Sequence, residues 1–469
     1  MQKLKRGDIF KNVEIVDIAS GGKAVGKVDN IVIFVNEAVP GDIVDVIIVS
    51  VKRRYYEGNV VSYLQHSAKK TEARCSHFGI CGGCKWQNLD YAEQLKFKQK
   101  QVIDNLTRIG KIAINSIEEI IPSENIYYYR NKLEYTFTNK RWLTKAEFNA
   151  APETPVNMNG LGFHIPGMFS KVLDIDECFL QPSPSNDIRL AVKKFAINNA
   201  YTFFDLKEQT GLLRNIIIRT STQNELMVIV VFHNNNKEKI NALMQHLAEQ
   251  FAEITSLMYV VNDKRNDTIS DLEIITYKGK DHLIEKMDDL FFRIGPKSFF
   301  QTNSKQAYKL YNVVKDFASL TGKETVYDLY TGTGTIAIFL SPAARSVIGI
   351  DNIEQAIENA KENSAFNHQE NTYFVSGIME KILDNDFIES NGKPDVVITD
   401  PPRSGMHPKV VEQLMQIEPA KIVYVSCNPS TQARDIALMS DKYEVAKVQA
   451  VDMFPHTEHV ESVALLVRK

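Results

Sequence analysis

Asp328-Leu329-Tyr330-Thr331-Gly332-Thr333-Gly334-Thr335-Ile336-Ala337 decides the fold of this chain. The apolar run just ahead of it predicts a strand, the two glycines a tight turn, and Thr335 onward a helix. Glycines at such a turn let the backbone approach a ligand closely. Asp351, 23 residues after Asp328, ends the next strand-like run, where a carboxylate is placed to accept ribose hydroxyls. The stretch therefore predicts an adenosine site. Dinucleotides and S-adenosylmethionine share this geometry, and a purely structural turn is the plain alternative.

Outward from this turn the sequence is regular. Strand-like runs at residues 325–329, 346–350, 372–375, 395–399, 421–425, 445–451 and 462–467 mostly alternate with helical stretches such as 353–366 and 431–438. Seven strands with helices between most of them predict an α/β, mostly parallel, doubly wound sheet with ligands at the carboxyl ends of its strands. Three of those ends carry chemistry. One is Asp400-Pro401-Pro402-Arg403, a rigid exit presenting a carboxylate and backbone carbonyls at the same edge as the cofactor; it resembles the loop that walls a flipped base in enzymes acting on planar bases. The next is Val425-Ser426-Cys427-Asn428-Pro429-Ser430, where a helix beginning near Ser430 favours the Cys427 thiolate through its dipole. A lone strand-end cysteine is otherwise a small buried hydrophobe. Last, Asp452 to Glu461 holds two histidines and two glutamates without a third-ligand pattern, so a carboxylate general base is a better reading than a metal.

The chain of 469 residues, 44% hydrophobic and 24% charged, is long enough for two to four domains, since one core rarely exceeds about 250–300 residues. Its longest apolar runs fall well short of a membrane span, and the first thirty residues lack an apolar signal region, so a cytoplasmic protein without membrane contact is expected. A net charge of -3 alone argues against a nucleic-acid partner. It hides an asymmetry, however: residues 1–111 carry 18 Lys and Arg against 12 Asp and Glu, leaving 37 against 46 for the rest. The basic quarter also reads as strands at 31–35, 43–51 and 59–64, with Gly21-Gly22, Asp29-Asn30 and Pro40-Gly41 as turns. Short strands in about 65 residues suit an OB-type barrel that binds RNA, with Lys52-Arg53-Arg54 as a contact or a solvated edge. A helix is predicted over 92–110, with Leu95, Val102 and Leu106 on one face and Gly110 as its stop. Of five cysteines, Cys75, Cys81 and Cys84 crowd into ten residues, which suggests a metal site rather than disulfides.

Taken together, Ser426-Cys427-Asn428-Pro429, Phe454-Pro455-His456-Thr457 with His459-Val460-Glu461, Asp400-Pro401-Pro402-Arg403 and Cys75-x5-Cys81-x2-Cys84 with distant Cys178 resemble the RNA (uracil-5-)-methyltransferase family. The likeness is to its 23S ribosomal RNA branch, which carries an N-terminal TRAM domain and an iron-sulfur cluster, and it covers nearly the whole chain. It implies a Rossmann-like S-adenosylmethionine methyltransferase domain at residues 291–469, a TRAM barrel at 1–66, and a mixed α+β central domain at 67–290 whose 92–110 helix packs on the catalytic domain. It implies Cys427 as the nucleophile that adds to uracil C6 and Glu461 as the base that removes the C5 proton. Gln301, Tyr330, Asp351 and Asp400 are expected around the methyl donor. Phe299 is expected against the flipped base, or as an ordinary core residue, and Arg130 at a phosphate or base, or in a surface salt bridge. Thr331 and Asp351 depart from the Cys and Glu common in the family; Asp351 keeps the carboxylate with a shorter reach.

The resemblance also implies a [4Fe–4S] cluster on Cys75, Cys81, Cys84 and Cys178, with zinc or free thiols as alternatives. Cytosine methylation is disfavoured because the Asp400–Arg403 loop lacks a cysteine, and a radical methylthiotransferase because its Cys-x3-Cys-x2-Cys triplet is missing. Transfer RNA uracil methylation and a non-catalytic RNA-binding iron-sulfur protein remain open. No protein partner is inferred.

Overall fold

The protein is described from a computed structural model covering residues 5–28, 31–150 and 156–469; the expected Asp29-Asn30 turn lies outside the described residues. Strands β1 (Ile9–Ile18), β2 (Ala24–Val28), β3 (Ile31–Asn36), β4 (Ile43–Val51) and β5 (Tyr55–Gln65) form a closed barrel in the order β1-β2-β3-β5-β4. Alternate residues of β3 and β4 point inward, and Val13, Ile15, Ile33, Val35, Val44 and Val46 fill the interior. Such period-two burial is what the Val and Ile runs call for.

Helix α1 (Tyr91–Asp104) follows, capped by the Asp90 side chain, and runs into a π turn over Asn105–Ile109 before Gly110 ends it. Val102 and Leu106 bury against the C-terminal α/β domain, in one cluster with Ala433, Ile436 and Met439. β6 (Ile114–Ile117) then adds itself to the edge of that domain's sheet, parallel to a strand near the C-terminus. The sheet therefore has eight strands rather than the seven expected. Ile114-Asn115-Ser116-Ile117 is too short and polar to read as a strand by itself, and its partner lies far along the chain.

The central sheet has the order β13-β12-β11-β10-β7-β8-β9. Its elements are β7 (Lys132–Thr138), α2 (Lys145–Asn149), β8 (Gly160–Ile165), β9 (Met168–Asp174), α3 (Ser185–Asn198), β10 (Leu213–Thr220), β11 (Leu226–Phe232), α4 (Lys237–Gln250), β12 (Ser256–Val261) and β13 (Ile274–Gly279). β11 is buried at every residue because helices α3 and α4 share a core with one face while Leu283, with Ile269 and Leu272, packs on the other beside Met258 and Val260 of β12. Its sequence is accordingly continuous in apolar residues rather than alternating.

A hairpin of β14 (Leu283–Met287) and β15 (Leu290–Ile294) leads into α5 (Ser304–Ala318). The α/β series is β16 (Thr325–Leu329), α6 (Thr335–Leu340), β17 (Ser346–Asp351), α7 (Glu354–Phe366), β18 (Thr372–Ser376), α8 (Met379–Ile382), α9 (Asn385–Asn391), β19 (Val396–Thr399), α10 (Pro408–Ile417), β20 (Lys421–Ser426), α11 (Pro429–Met439), β21 (Tyr443–Val451) and β22 (Glu461–Arg468). The sheet order β18-β17-β16-β19-β20-β22-β21-β6 is parallel except at β22, which runs antiparallel to both neighbours. The chain reverses between β16 and β19, so the crevice at their carboxyl ends is where an open α/β sheet takes its ligand. Among the described residues no helix is long and apolar enough to cross a membrane.

Candidate active site

The turn after β16 is built on left-handed backbone. Tyr330, Gly332 and Gly334 have φ of 64°, 56° and 76°, and α6 starts directly after the last. Thr331 Oγ1 donates to Asp328 Oδ2 at 2.6 Å, and Gly334 N donates to Thr331 O at 3.0 Å, which closes the turn. The cavity over it is lined by Phe299, Gln301, Asp328, Tyr330, Gly332 and Asp400, among others. Among the described residues the buried Asp328 Oδ1 has no partner, so it could accept an ammonium or hydroxyl of a ligand in this cavity. Burial pushes the Asp328 and Asp400 carboxyls up to about 7. Asp351, one strand over, accepts Gly332 N and Ile353 N, both at 2.9 Å. One oxygen thus braces the glycine turn and the other the start of α7.

Cys427 and Glu461 are brought together by strand register. β20 pairs with β22 so that Ser426 faces Ser462, which sets the next residue of one strand against the first of the other. Gln432 locks that register by donating to Tyr424 O and Ser462 O. Asn428 caps α11 by accepting Ser430 N, and its Nδ2 donates to Arg403 O at 2.9 Å, tying the Asp-Pro-Pro-Arg loop to the cysteine. Asp435 anchors the far end of the same loop by accepting Met406 N and Tyr424 OH. Glu461 is buried, and burial followed by repulsion from Asp400 holds its carboxyl well above the usual range, against the attraction of Arg403. Cys427 stands just ahead of the N-terminus of α11, as the sequence predicts, while the charges around it act against the thiolate. Burial and the Glu461 and Asp400 charges push the thiol up to about 11, and the Arg403 guanidinium beside it opposes that rise without cancelling it.

The remaining expected residues surround this pair. Phe299 is 71% exposed at the rim of the donor cavity, not part of a core. Gln301 is held by Asn131, whose Nδ2 donates to Gln301 O at 2.9 Å. Arg130 lies over the Phe454 ring, 5.1 Å from its centroid, and makes no salt bridge among the described residues. Its buried Nε has no hydrogen-bond partner among the described residues. Two residues near the site escaped the sequence reading although a signal was present: Gln94 and Lys98 share the i, i+4 spacing that places Val102 on the buried face of α1, and both are fully buried. A third, Arg219 on β10, donates to Gly295 O and Ser298 O and so holds the segment leading to Phe299; no local pattern announces it.

Cys75, Cys81, Cys84 and Cys178 do meet. They line one cavity of about 190 Å³ together with Arg130, Phe163 and Phe179. Burial raises all four thiols, Cys81 and Cys84 to about 12. Among the described residues, no three Cys, His, Asp or Glu side chains are grouped so as to hold a single metal ion.

A glycine turn and a thiol sharing one sheet edge fit the S-adenosylmethionine-dependent methyltransferases, and likeness to known proteins places the chain in that class. Residues 206–469 match the family described as tRNA (Uracil-5-)-methyltransferase and residues 10–61 match the TRAM domain, so the chain belongs to the tRNA (uracil-5-)-methyltransferase family. An uncharacterized RNA methyltransferase of Bacteroides thetaiotaomicron is 53% identical over 96% of this chain and 99% of its own length. Another, from Caldanaerobacter subterraneus, is 38% identical over 99% of both. The crystal structure of the Pyrococcus abyssi tRNA (uracil-54, C5)-methyltransferase with S-adenosyl-L-homocysteine superposes with a TM-score of 0.73 at 30% identity, covering 97% of this chain and 100% of that one. The protein is thus an RNA methyltransferase of this family, with S-adenosylmethionine as its methyl donor.

Proposed function

We propose that the protein methylates C5 of a uracil in RNA, with Cys427 as nucleophile and Glu461 as general base. The observation that carries this reading is the β20–β22 register, which sets a thiol beside a buried carboxylate next to the donor cavity. S-adenosylmethionine, when bound, supplies an electrophilic methyl group on a sulfonium. The Cys427 thiolate adds to C6, forming a C–S bond while the C5–C6 π pair shifts towards C5 and O4. That makes C5 the carbon nucleophile the transfer requires. Glu461 then takes the C5 proton; the C–H pair restores the double bond, and Cys427 leaves with the C6–S pair. Phe299 stacks on the extruded base, replacing part of the stacking it loses. Gln301, Tyr330, Asp351 and Asp400 hold the donor. The test is Cys427→Ala beside Glu461→Gln: the first should give neither product nor adduct, and the second a covalent protein–RNA species that persists in denaturant. A methylating Cys427→Ala enzyme would sink the reading.

The RNA is proposed to be 23S ribosomal RNA, on the combination of TRAM barrel and cysteine set. The whole-length likeness to a transfer RNA enzyme favours transfer RNA as the second reading. Mapping 5-methyluridine in both RNAs with and without the protein separates them, and either substrate puts the reaction in the cytoplasm.

We further propose that Cys75, Cys81, Cys84 and Cys178 hold a [4Fe–4S] cluster. Four cysteines lining one cavity are the donor set that would hold such a cluster. The cluster would brace residues 75–84 against the central sheet, since methylation needs no electron transfer. Anaerobic purification with iron and zinc analysis tests it; zinc without iron overturns it. Units at 1–66, 67–290 and 291–469 are proposed on the same footing, with residues 91–121 crossing back onto the third.

A further inference from the structure

α1 holds no reacting group, yet its two fully buried polar side chains, Gln94 and Lys98, reach the segment that runs from β21 to Glu461. Lys98 Nζ donates to Asp452 Oδ1 at 2.6 Å and to Phe454 O at 2.9 Å, while Tyr91 OH donates to Asp452 Oδ2 at 2.7 Å. Gln94 Oε1 accepts His456 N at 2.9 Å, and His456 O accepts Lys85 N and Trp86 N at 2.7 and 3.0 Å. His456 is held there with φ of 64°. The catalytic domain grips the same segment from its other side: Gln306 Nε2 donates to Asp452 O at 2.8 Å and Asn303 Nδ2 to Met453 O at 2.9 Å. An ammonium and a carboxylate removed from water together are a poor way to stabilise a core, because desolvation consumes most of the attraction. They do impose one geometry.

We propose that Lys98 is a positioning residue for Glu461: through Asp452 and Phe454 O it holds residues 452–459 in the arrangement that sets the Glu461 carboxylate beside Cys427. The inference rests on the reading of Glu461 as the base. Cys427 is held by β20, Asn428 and Gln432; β20 and Gln432 also fix the backbone at Ser462, but among the described residues none of the three hydrogen-bonds to residues 452–459, whose arrangement depends on α1 and α5. Loosening the Lys98 contact therefore leaves attack at C6 and methyl transfer in place. It slows removal of the C5 proton and the expulsion of Cys427 that follows.

The experiment compares full-length wild type, Lys98→Met, Lys98→Met/Asp452→Asn, Gln94→Met and Glu461→Gln, using labelled S-adenosylmethionine and ribosomal and transfer RNA from cells lacking the enzyme. Three quantities are read: the first-turnover burst of methyl transfer, the denaturant-resistant protein–RNA adduct, and steady-state release. Lys98→Met is expected to keep its burst and its KM for RNA, to lose up to about 100-fold in kcat, and to accumulate adduct. The double variant removes both charges, and Gln94→Met is neutral and similar in volume; both are expected to shift in the same direction, so the test survives if Lys98→Met does not fold. A burst and a turnover that fall by the same factor in these variants overturn the proposal, as does the absence of adduct in them while Glu461→Gln accumulates it. If Glu461→Gln itself yields no adduct, the assignment of the base fails and this inference falls with it.

Discussion

Cys427 sits where its own surroundings disfavour the thiolate. With the thiol pushed up to about 11, the reactive fraction grows with pH across the neutral range, so adduct formation in single turnover should rise about tenfold per pH unit between about pH 7 and 9. Arg403 opposes the shift, so Arg403→Met should displace the profile to higher pH; an unmoved profile would show that the guanidinium does not act on the sulfur. Asp328 and Asp400 make a second test. Their carboxyls, raised from 3.8 to about 7, hold protons that the unfolded chain has already lost, so their contribution favours the folded state at low pH and disappears as pH rises through about 7. The melting temperature of the donor-free protein should fall accordingly from about pH 5 to 7.5. A cation bound beside them reverses the preference, so the affinity ratio of S-adenosylmethionine to S-adenosylhomocysteine, which lacks the sulfonium, should climb over the same range in calorimetric titration. A ratio that stays flat with pH would place the sulfonium away from these groups.

At the scale of elements, the glycine turn and α1 show two kinds of legibility. Gly332 and Gly334 are both readable as turn residues, but only the packed fold distinguishes them. A Cβ on Gly334 would stand 2.9 Å from Ala360 Cβ and 3.0 Å from the Phe374 ring, whereas one on Gly332 would meet nothing within 4 Å. Gly334→Ala should therefore cost about 2–3 kcal/mol in urea denaturation and Gly332→Ala about 1 kcal/mol, the backbone penalty alone. Equal costs would mean that packing around α6 yields freely. The helix at 92–110 is legible from Leu95, Val102 and Leu106, and its π turn is not, because one inserted residue leaves the apolar spacing nearly intact. Gln94 and Lys98 lie at core spacing, but two polar side chains on a helix read as solvent-facing unless their partners are known. Those partners sit in residues 452–456.

Across the whole molecule, charge is divided as the composition by segment suggests, with the basic excess in residues 1–111. Lys52, Arg53 and Arg54 are exposed at the β4–β5 turn of the barrel and make no salt bridge among the described residues. Replacing all three by Ala should weaken RNA binding at low salt and reduce the slope of log affinity against log salt by up to about 3, with donor binding unchanged. An unaltered slope would remove this turn from the RNA path. The barrel is also joined to the catalytic side: Trp86 Nε1 donates to Gly22 O at 3.0 Å, and Lys85 pairs with Glu458 at 3.0 Å, so a barrel loop adjoins the segment that carries the base.

The sequence by itself determined what local rules encode: the strand-turn-helix donor site, the alternating barrel strands, the continuous core strands, and the types of side chain the chemistry requires. These follow from hydrophobic period and from backbone needs that act within a few residues. Only the tertiary structure decided which of those groups meet. It brought Cys427 to Glu461 through strand register, gathered Cys178 with the three clustered cysteines, recruited β6 to a distant sheet edge, and set Lys98 against Asp452. The reason is physical: burial, desolvation and pairing between residues from 34 to more than 300 positions apart depend on how surfaces close over one another, and no local pattern carries that information.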